Sequence, residues 1–529
     1  MNSISVMIPN FLPLLLLLFQ LTEGINRVVP PSVEEDLISA IHLGEPGATG
    51  FRPFVDAAGR ERLFHGVNAI VKGAPWHPST EQFDFQTSLH DLDFDLLKKA
   101  GVNVIRLGTM WPGVEPERGR YNMTYIGIIK SIAQNAAKRG IYTLLDMHQD
   151  ALAERFCGEG VPDWAIVPSG RLRFPEPYLA PFDKFDPVTG FPTVEECLKT
   201  DWSRYYFAEA VSSAFQAIYD NKDGLLDAWA NMWATVAAAF KDEPYVLGIE
   251  LVNEPWCGNI FHNPLLLVPE VADEYNLQRV YDRLATAIWE VDPKRLVFFA
   301  GVTWDNYGNG FSHPPGGKQN ANRSVLVFHH YEWPGGPQLK NSSFQKVAIH
   351  VREAERLNTG IMLTEFGEEC ASDSIFARTA GAAESMFVSW AVWEYKMFCN
   401  GNISDPLTQW GGYGACKTGF GGCLWTDSGE LFLSHWAALS RGYPLAIAGD
   451  IRHHQWTRAS GRLELSYSPN PNVSSPSLIY VSEEFFFPNG LDVQIFPKLA
   501  ARWVRLEENY IEVHNIRHVD LLRVIVQPA

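Results

Sequence analysis

The stretch LGIELVNEPWCGN, residues 247–259, ends an apolar run on Asn253-Glu254-Pro255, and LTEFG, residues 363–367, ends another on Glu365. Two glutamates at the ends of apolar strands suit cleavage of a glycosidic bond. One carboxylic acid protonates the leaving oxygen, and a second carboxylate attacks the anomeric carbon or activates water. A glutamate before proline also occurs as a solvated strand end, and Glu368 and Glu369 beside Glu365 read as surface carboxylates. The pair gains weight from its company. Arg106, Asp146-Met147-His148-Gln149-Asp150, His329-His330-Tyr331 and Trp393 all fall at or just beyond the ends of other apolar runs. Polar groups there are expensive if buried without partners, so their recurrence marks a site. Asn253 can hydrogen-bond a sugar 2-hydroxyl, and Arg106 with Tyr331 can hold Glu365 ionised so that the two carboxyls titrate apart. Trp393 offers a flat apolar face to a sugar ring.

The runs that must carry these residues are LFHGVNAI (63–70), VNVIRLGTM (102–110), IYTLLDMH (141–148), YVLGIELVNEP (245–255), RLVFFAG (295–301), SVLVFHHY (324–331), GIMLTEFG (360–367) and FVSWAVWEY (387–395). Most are near-continuous Val/Ile/Leu/Phe segments, the pattern of parallel strands covered on both faces. Segments with helical spacing, such as YIGIIKSIAQNAAKRG and LLDAWANMWATVAAAFKD, lie between them. Strict alternation predicts an α/β fold, a (β/α)8 TIM barrel, whose active site forms at the carboxyl ends of the strands. A Gly-x-Gly-x-x-Gly fingerprint is missing after the first strand, which argues against a dinucleotide-binding sheet. Beyond Pro444 short alternating runs separated by Pro, Asn and Gly predict a small C-terminal antiparallel β-sandwich. The expected division is a signal peptide over 1–24, the barrel with an N-terminal extension over 25–445, and the sandwich over 446–529.

The formal net charge of −18 excludes a nucleic-acid partner that would need Lys/Arg stripes. Phe11–Leu21 is an apolar run too short to span a bilayer and suited to a secretory signal, although no Lys or Arg precedes it. Sequons at Asn122, Asn322, Asn341, Asn402 and Asn472 agree with a secreted or lysosomal destination. Seven cysteines lack zinc-site spacing; Cys157 with Cys197, and Cys399 with Cys416 or Cys423, bracket two insertions and are candidate pairs.

RLGTMW, DMHQD, LVNEPW, HHY, LTEFG and the strand-eight WEY together resemble glycoside hydrolase family 5, over roughly residues 60–445. Within that family FHGVNAIVKGAPWHP, DMHQDAL and RGYPLAIAG are most similar to the endoglycoceramidases, which release the oligosaccharide of a glycosphingolipid from ceramide and carry a C-terminal β-sandwich. The resemblance implies that Glu254 is the acid/base and Glu365 the nucleophile of a retaining mechanism. It implies that Lys72, Arg106, His148, Asp150, Asn253, His329, Tyr331 and Trp393 bind substrate. It implies a glycosphingolipid partner and leaves transient contact with a membrane or micelle surface open. Two carboxylates suffice for this chemistry, so neither cofactor nor metal is expected. The rivals are a same-fold β-glucosidase on another aglycone (glucosylceramide, a steryl glucoside), an endoglucanase, and a non-catalytic glycolipid-binding protein. Two segments remain open: CGNIFHNPLLLVPEV with Trp256, either a wall for a ceramide chain or packing on the barrel, and the insertion from Arg155 to Tyr205, a candidate cover for the cleft.

Overall fold

The computed structural model describes residues 40–167, 170–303, 308–331, 342–367, 373–396, 398, 424–426 and 428–529. The expected leader, the sequons at Asn341 and Asn402, Glu368 and Glu369, and the candidate pairing of Cys399 lie outside them.

Three short strands open the described chain: β1 (Ile41–Leu43), β2 (Phe54–Asp56) and β3 (Glu61–Arg62). The eight strands expected from the sequence follow: β4 (His65–Ala69), β5 (Val104–Gly108), β6 (Tyr142–Asp146), β7 (Val246–Glu250), β8 (Val297–Ala300), β9 (Ser324–His330), β10 (Gly360–Phe366) and β11 (Ser389–Val392). All eight pair in parallel and close into one barrel, β11 returning to β4. They are buried on both faces because helices wrap them outside. The helix Met123–Ala137 is typical: Asn122 caps its first turn by accepting from Tyr125 N, and Ile126, Ile129, Ile132 and Ala136 form its buried stripe.

The amino ends of the barrel strands enclose an apolar plug. Phe64, Tyr142, Leu144, Phe298 and Met362 pack there with Leu43 and Phe54 from the N-terminal hairpin, and the Phe54 ring lies 5.2 Å from that of Phe64. With that end filled by hydrocarbon, the polar residues on the barrel axis gather at the other end.

The remaining strands are β12 (Tyr443–Ile447), β13 (Gly449–Thr457), β14 (Arg462–Pro469), β15 (Ser477–Tyr480), β16 (Leu491–Phe496), β17 (Ala501–Glu507), β18 (Tyr510–Asn515) and β19 (Leu522–Pro528). They build two antiparallel sheets, β1-β2-β3-β12-β15-β18-β17 and β13-β14-β19-β16, which share one core of residues such as Ile451, Leu465, Tyr467, Ile511 and Val524. The sandwich therefore draws on both sides of the barrel. The boundary expected after residue 445 falls inside β12, and the N-terminal extension supplies three of the sheet's strands. Strands of two or three residues are too short to display an alternation, which is why the sequence pattern does not reveal them.

Candidate active site

Arg106 on β5 is fully buried and organises the carboxyl end of the barrel. Its Nε and Nη2 donate to the two oxygens of Glu250, each at 2.8 Å, and Nη2 also reaches Asn253 Oδ1 at 2.9 Å. Nη1 donates to Asn68 Oδ1 at 3.0 Å and to Glu365 Oε1 at 2.6 Å, while Asp146 Oδ1 lies 3.0 Å from Nη2. One planar cation thus binds β4, β6, β7 and β10 together, a task suited to the guanidinium fork.

Glu254 lies four residues past the end of β7, in a left-handed backbone conformation (φ 39°). The Gln149 amide Nε2 donates to the carbonyls of Asn253 and Glu254 at 2.8 Å each, pinning that turn. The Glu254 side chain is aimed across the mouth, with His329 Nδ1 2.7 Å from its Oε1. His329 Nδ1 is also 3.4 Å from Glu365 Oε2, to which the Tyr331 hydroxyl donates at 3.0 Å. Of the two adjacent histidines, His329 faces the carboxylates and His330 turns away to Ser343. Burial alone would raise the Glu365 pKa, but His329 and then Arg106 outweigh it and hold the carboxyl below its ordinary value. His329 responds in kind. Burial disfavours its charge, yet Glu365 and Glu254 leave its pKa raised. One oxygen of Glu254, one ring nitrogen of His329 and one oxygen of Glu365 all lie within 4.8 Å of each other.

Lys72, His148, Asp150 and Trp393 form the other side of the cleft. Lys72 Nζ contacts Asp150 Oδ2 closely and sits over the Trp393 ring, 4.9 Å from its centroid. The His148 ring stacks on Trp393 at 5.2 Å, its Nδ1 3.0 Å from Asp146 Oδ2 and its Nε2 3.5 Å from Asp150 Oδ2. Asn253 Nδ2 donates to Gln149 O at 3.1 Å and lies 3.4 Å from His148 Nε2, closing the circuit. Every residue expected at the site from the sequence is thus brought into one connected cluster. The sequence reading passed over Asn68, Glu250, Glu159, Trp202 and Glu394. Asn68 and Glu250 carried a legible signal, since each is a polar residue inside an apolar strand. Burial outweighs Arg106 to raise the Glu250 carboxyl, and burial likewise lifts Glu394, near Lys72, well above the carboxylate range.

Among the described residues two groups could hold a cation by ligand type: His148 with Asp150 and Glu159, and Glu254 with His329 and Glu365. The first already receives the Lys72 ammonium, and the second is the carboxylate pair itself.

Trp256 does not line a groove. It is buried against Tyr206 at 5.2 Å, with Nε1 donating to Ser212 Oγ at 3.0 Å. The segment after it turns outward, leaving Phe261, Leu265, Leu267 and Val268 exposed. The insertion after β6 is stapled by the Cys157–Cys197 disulfide and brings Trp202 to 5.8 Å from Lys72 Nζ. Cys257 is a buried free thiol, and Asn122, Asn322 and Asn472 are exposed.

Residues 65–398 match the family model "Cellulase (glycosyl hydrolase family 5)", and residues 441–520 match "Glycoside hydrolase family 5 C-terminal domain". An endoglycoceramidase of Cyanea nozakii is 41% identical over 472 residues, covering 87% of this chain and 89% of the relative. One of Hydra vulgaris is 42% identical over 448 residues, covering 84% and 82%. Among solved structures, endo-glycoceramidase II from Rhodococcus sp., as a lactosyl-enzyme intermediate and as a ganglioside GM3 complex, superposes with a TM-score of 0.69. Sequence identity there is 23% and 22%, and the match covers 89% of this chain and 98% of that one.

Proposed function

Because the chain belongs to glycosyl hydrolase family 5, we propose that it is a retaining endo-glycosidase that cleaves the β-glycosidic bond between the oligosaccharide and the ceramide of glycosphingolipids. The observation that carries the retaining mechanism is the approach of Glu254 and Glu365, whose oxygens come within 4.8 Å of one another. Retaining enzymes keep their two carboxyl groups about 5–5.5 Å apart, whereas an inverting pair stands about 6.5–9.5 Å apart to admit a water.

In this reading Glu365, kept ionised by His329 and Arg106, attacks the anomeric carbon while Glu254 gives its proton to the departing ceramide oxygen. The C–O bond to ceramide breaks as the ester to Glu365 forms. Glu254, now a carboxylate, takes a proton from water, and the water oxygen displaces Glu365, returning the anomeric carbon to its first configuration. Lys72, Asp150, His148 and Asn253 hold the sugar hydroxyls, and Trp393 lies under the ring. A lipid aglycone is favoured by the 41% identity to an endoglycoceramidase over 87% of this chain and 89% of the relative, and by the exposed Phe261, Leu265, Leu267 and Val268 downstream of Glu254. Those side chains also suit transient contact with a membrane or micelle. Passage through the secretory route is supported by the Cys157–Cys197 disulfide and the exposed sequons.

Incubation with a ganglioside, with glucosylceramide and with a soluble β-glucan separates the readings by their products. Intact oligosaccharide plus ceramide from the ganglioside is expected. Glucose released from glucosylceramide alone, or cleavage of the glucan alone, overturns the endoglycoceramidase reading.

A further inference from the structure

After Asp150 the chain doubles back, and Cys157-Gly158-Glu159-Gly160 lies antiparallel against His148-Gln149-Asp150. Asp150 N donates to Glu159 O at 3.1 Å, and Glu159 N to Asp150 O at 2.8 Å. The approach requires the glycines. A Cβ on Gly158 would stand 1.8 Å from Asp150 O, and one on Gly160 2.3 Å from His148 O. The disulfide from Cys157 to Cys197 ties this strip into the insertion.

The result is a second buried carboxyl beside the sugar subsite. Glu159 is buried, its Oε1 is 3.6 Å from Lys72 Nζ, and among the described residues that oxygen has no hydrogen-bond partner. One oxygen each of Asp150 and Glu159 and one nitrogen of His148 lie within 4.8 Å of each other. Among the described residues the ammonium facing them is that of Lys72, whose close contact is with Asp150; Glu394, just past the end of β11, also lies near Lys72. Two carboxylates crowded against one ammonium in a dry site do not both ionise readily.

Resting on the reading that Lys72 and Asp150 bind the sugar beside the scissile bond, we propose that Glu159 is a positioning residue. Its neutral carboxyl, fixed by the Cys157–Cys197 disulfide, keeps the Lys72–Asp150 pair in register for vicinal sugar hydroxyls. Burial and then Asp150 push the Glu159 carboxyl well above the usual range, while Lys72 and then His148 overcome burial to hold Asp150 well below it. Ionised, Glu159 competes with Asp150 for the ammonium and draws it off the face of Trp393.

The test compares wild type with Glu159→Gln, Glu159→Ala and Cys157→Ala/Cys197→Ala in ganglioside hydrolysis across the pH range. Gln preserves a neutral group of the same shape, so its kcat and KM stay close to wild type and it loses the alkaline fall in kcat/KM that Glu159 ionisation causes. Glu159→Ala empties the space beside the Lys72 ammonium and raises KM about tenfold, with kcat little changed. The cysteine double variant raises KM similarly, and adding Glu159→Ala to it costs little more, because both act through one contact. A Gln variant as impaired as Ala, or one with an unchanged alkaline limb, overturns the proposal. Infrared difference spectra at neutral pH give a readout independent of turnover: the protonated-carboxyl band of wild type is lost in Glu159→Gln. No difference in that band overturns the neutral carboxyl. A wild type that has the band but cleaves no glycosphingolipid supports it and instead defeats the substrate reading.

Discussion

At the scale of single residues, the two carboxyls differ in their neighbours. Glu365 is buried and touches Arg106 and Tyr331, whereas Glu254 is partly exposed and touches His329. This is the division of labour expected of a nucleophile that must stay ionised and an acid/base that must exchange protons. Glu254→Gln should lower kcat on a ganglioside by about 10²–10⁴-fold, the usual worth of a general acid, and by far less on an aryl glycoside whose leaving group needs no proton. Equal losses on both substrates in steady-state assays would remove Glu254 from that role. The sign of a second effect follows from the causes of the Glu365 shift. Its pKa is depressed, so the proposed nucleophile remains ionised as pH falls below the ordinary value of 4.5, and His329 is the largest influence lowering it. His329→Ala therefore moves the acid limb of the kcat/KM profile to higher pH; an unmoved limb would show that His329 does not govern that ionisation. Glu254 and Glu365 were legible in the sequence because each ends an apolar run. Glu159 was not, because it sits in a loop and meets Lys72 only through a disulfide fold-back.

Elements explain where these residues stand. Eight parallel strands were readable because each is buried on both faces and so is written as continuous hydrocarbon. The strands β1–β3 were not, being two or three residues long and paired, through β3 and β12, with chain almost at the other end of the sequence. That junction holds an unusual group. Glu61 on β3 accepts from Ile451 N at 2.8 Å, and burial pushes its carboxyl up to about 8. A folded-state pKa raised in this way means the protonated form is the stabilising one. Its contribution is complete below the unfolded value of 4.5 and is lost as pH rises through about 8. Glu61→Gln keeps the hydrogen bond to Ile451 N without that ionisation, so thermal melts should find it more stable than wild type at pH values near and above 8 and little changed in acid. A gain of stability confined to acid would reverse the assignment.

On the scale of the whole molecule, the sandwich grips the end of the barrel opposite the catalytic mouth. Tyr443, Tyr480 and Tyr510 donate to the carbonyls of Gly101, Lys99 and Lys98 at 2.8, 2.8 and 3.0 Å, in the turn that leads into β5. His65, at the start of β4, stacks between Trp390 at 4.2 Å and Tyr443 at 3.7 Å. Among the described residues no helix is long and apolar enough to cross a membrane. With β1–β3 threaded into the sandwich before the barrel begins, the two parts should unfold together. A single calorimetric transition is expected, and two well-separated ones would contradict that coupling. The mouth is left free for a substrate that brings its own lipid. The central claim, double displacement by Glu254 and Glu365 at the bond to ceramide, is tested most directly by NMR of the oligosaccharide first released from a ganglioside. Its reducing-end sugar should appear as the β-anomer before mutarotation; an α-anomer at the earliest times would show inversion and contradict the account.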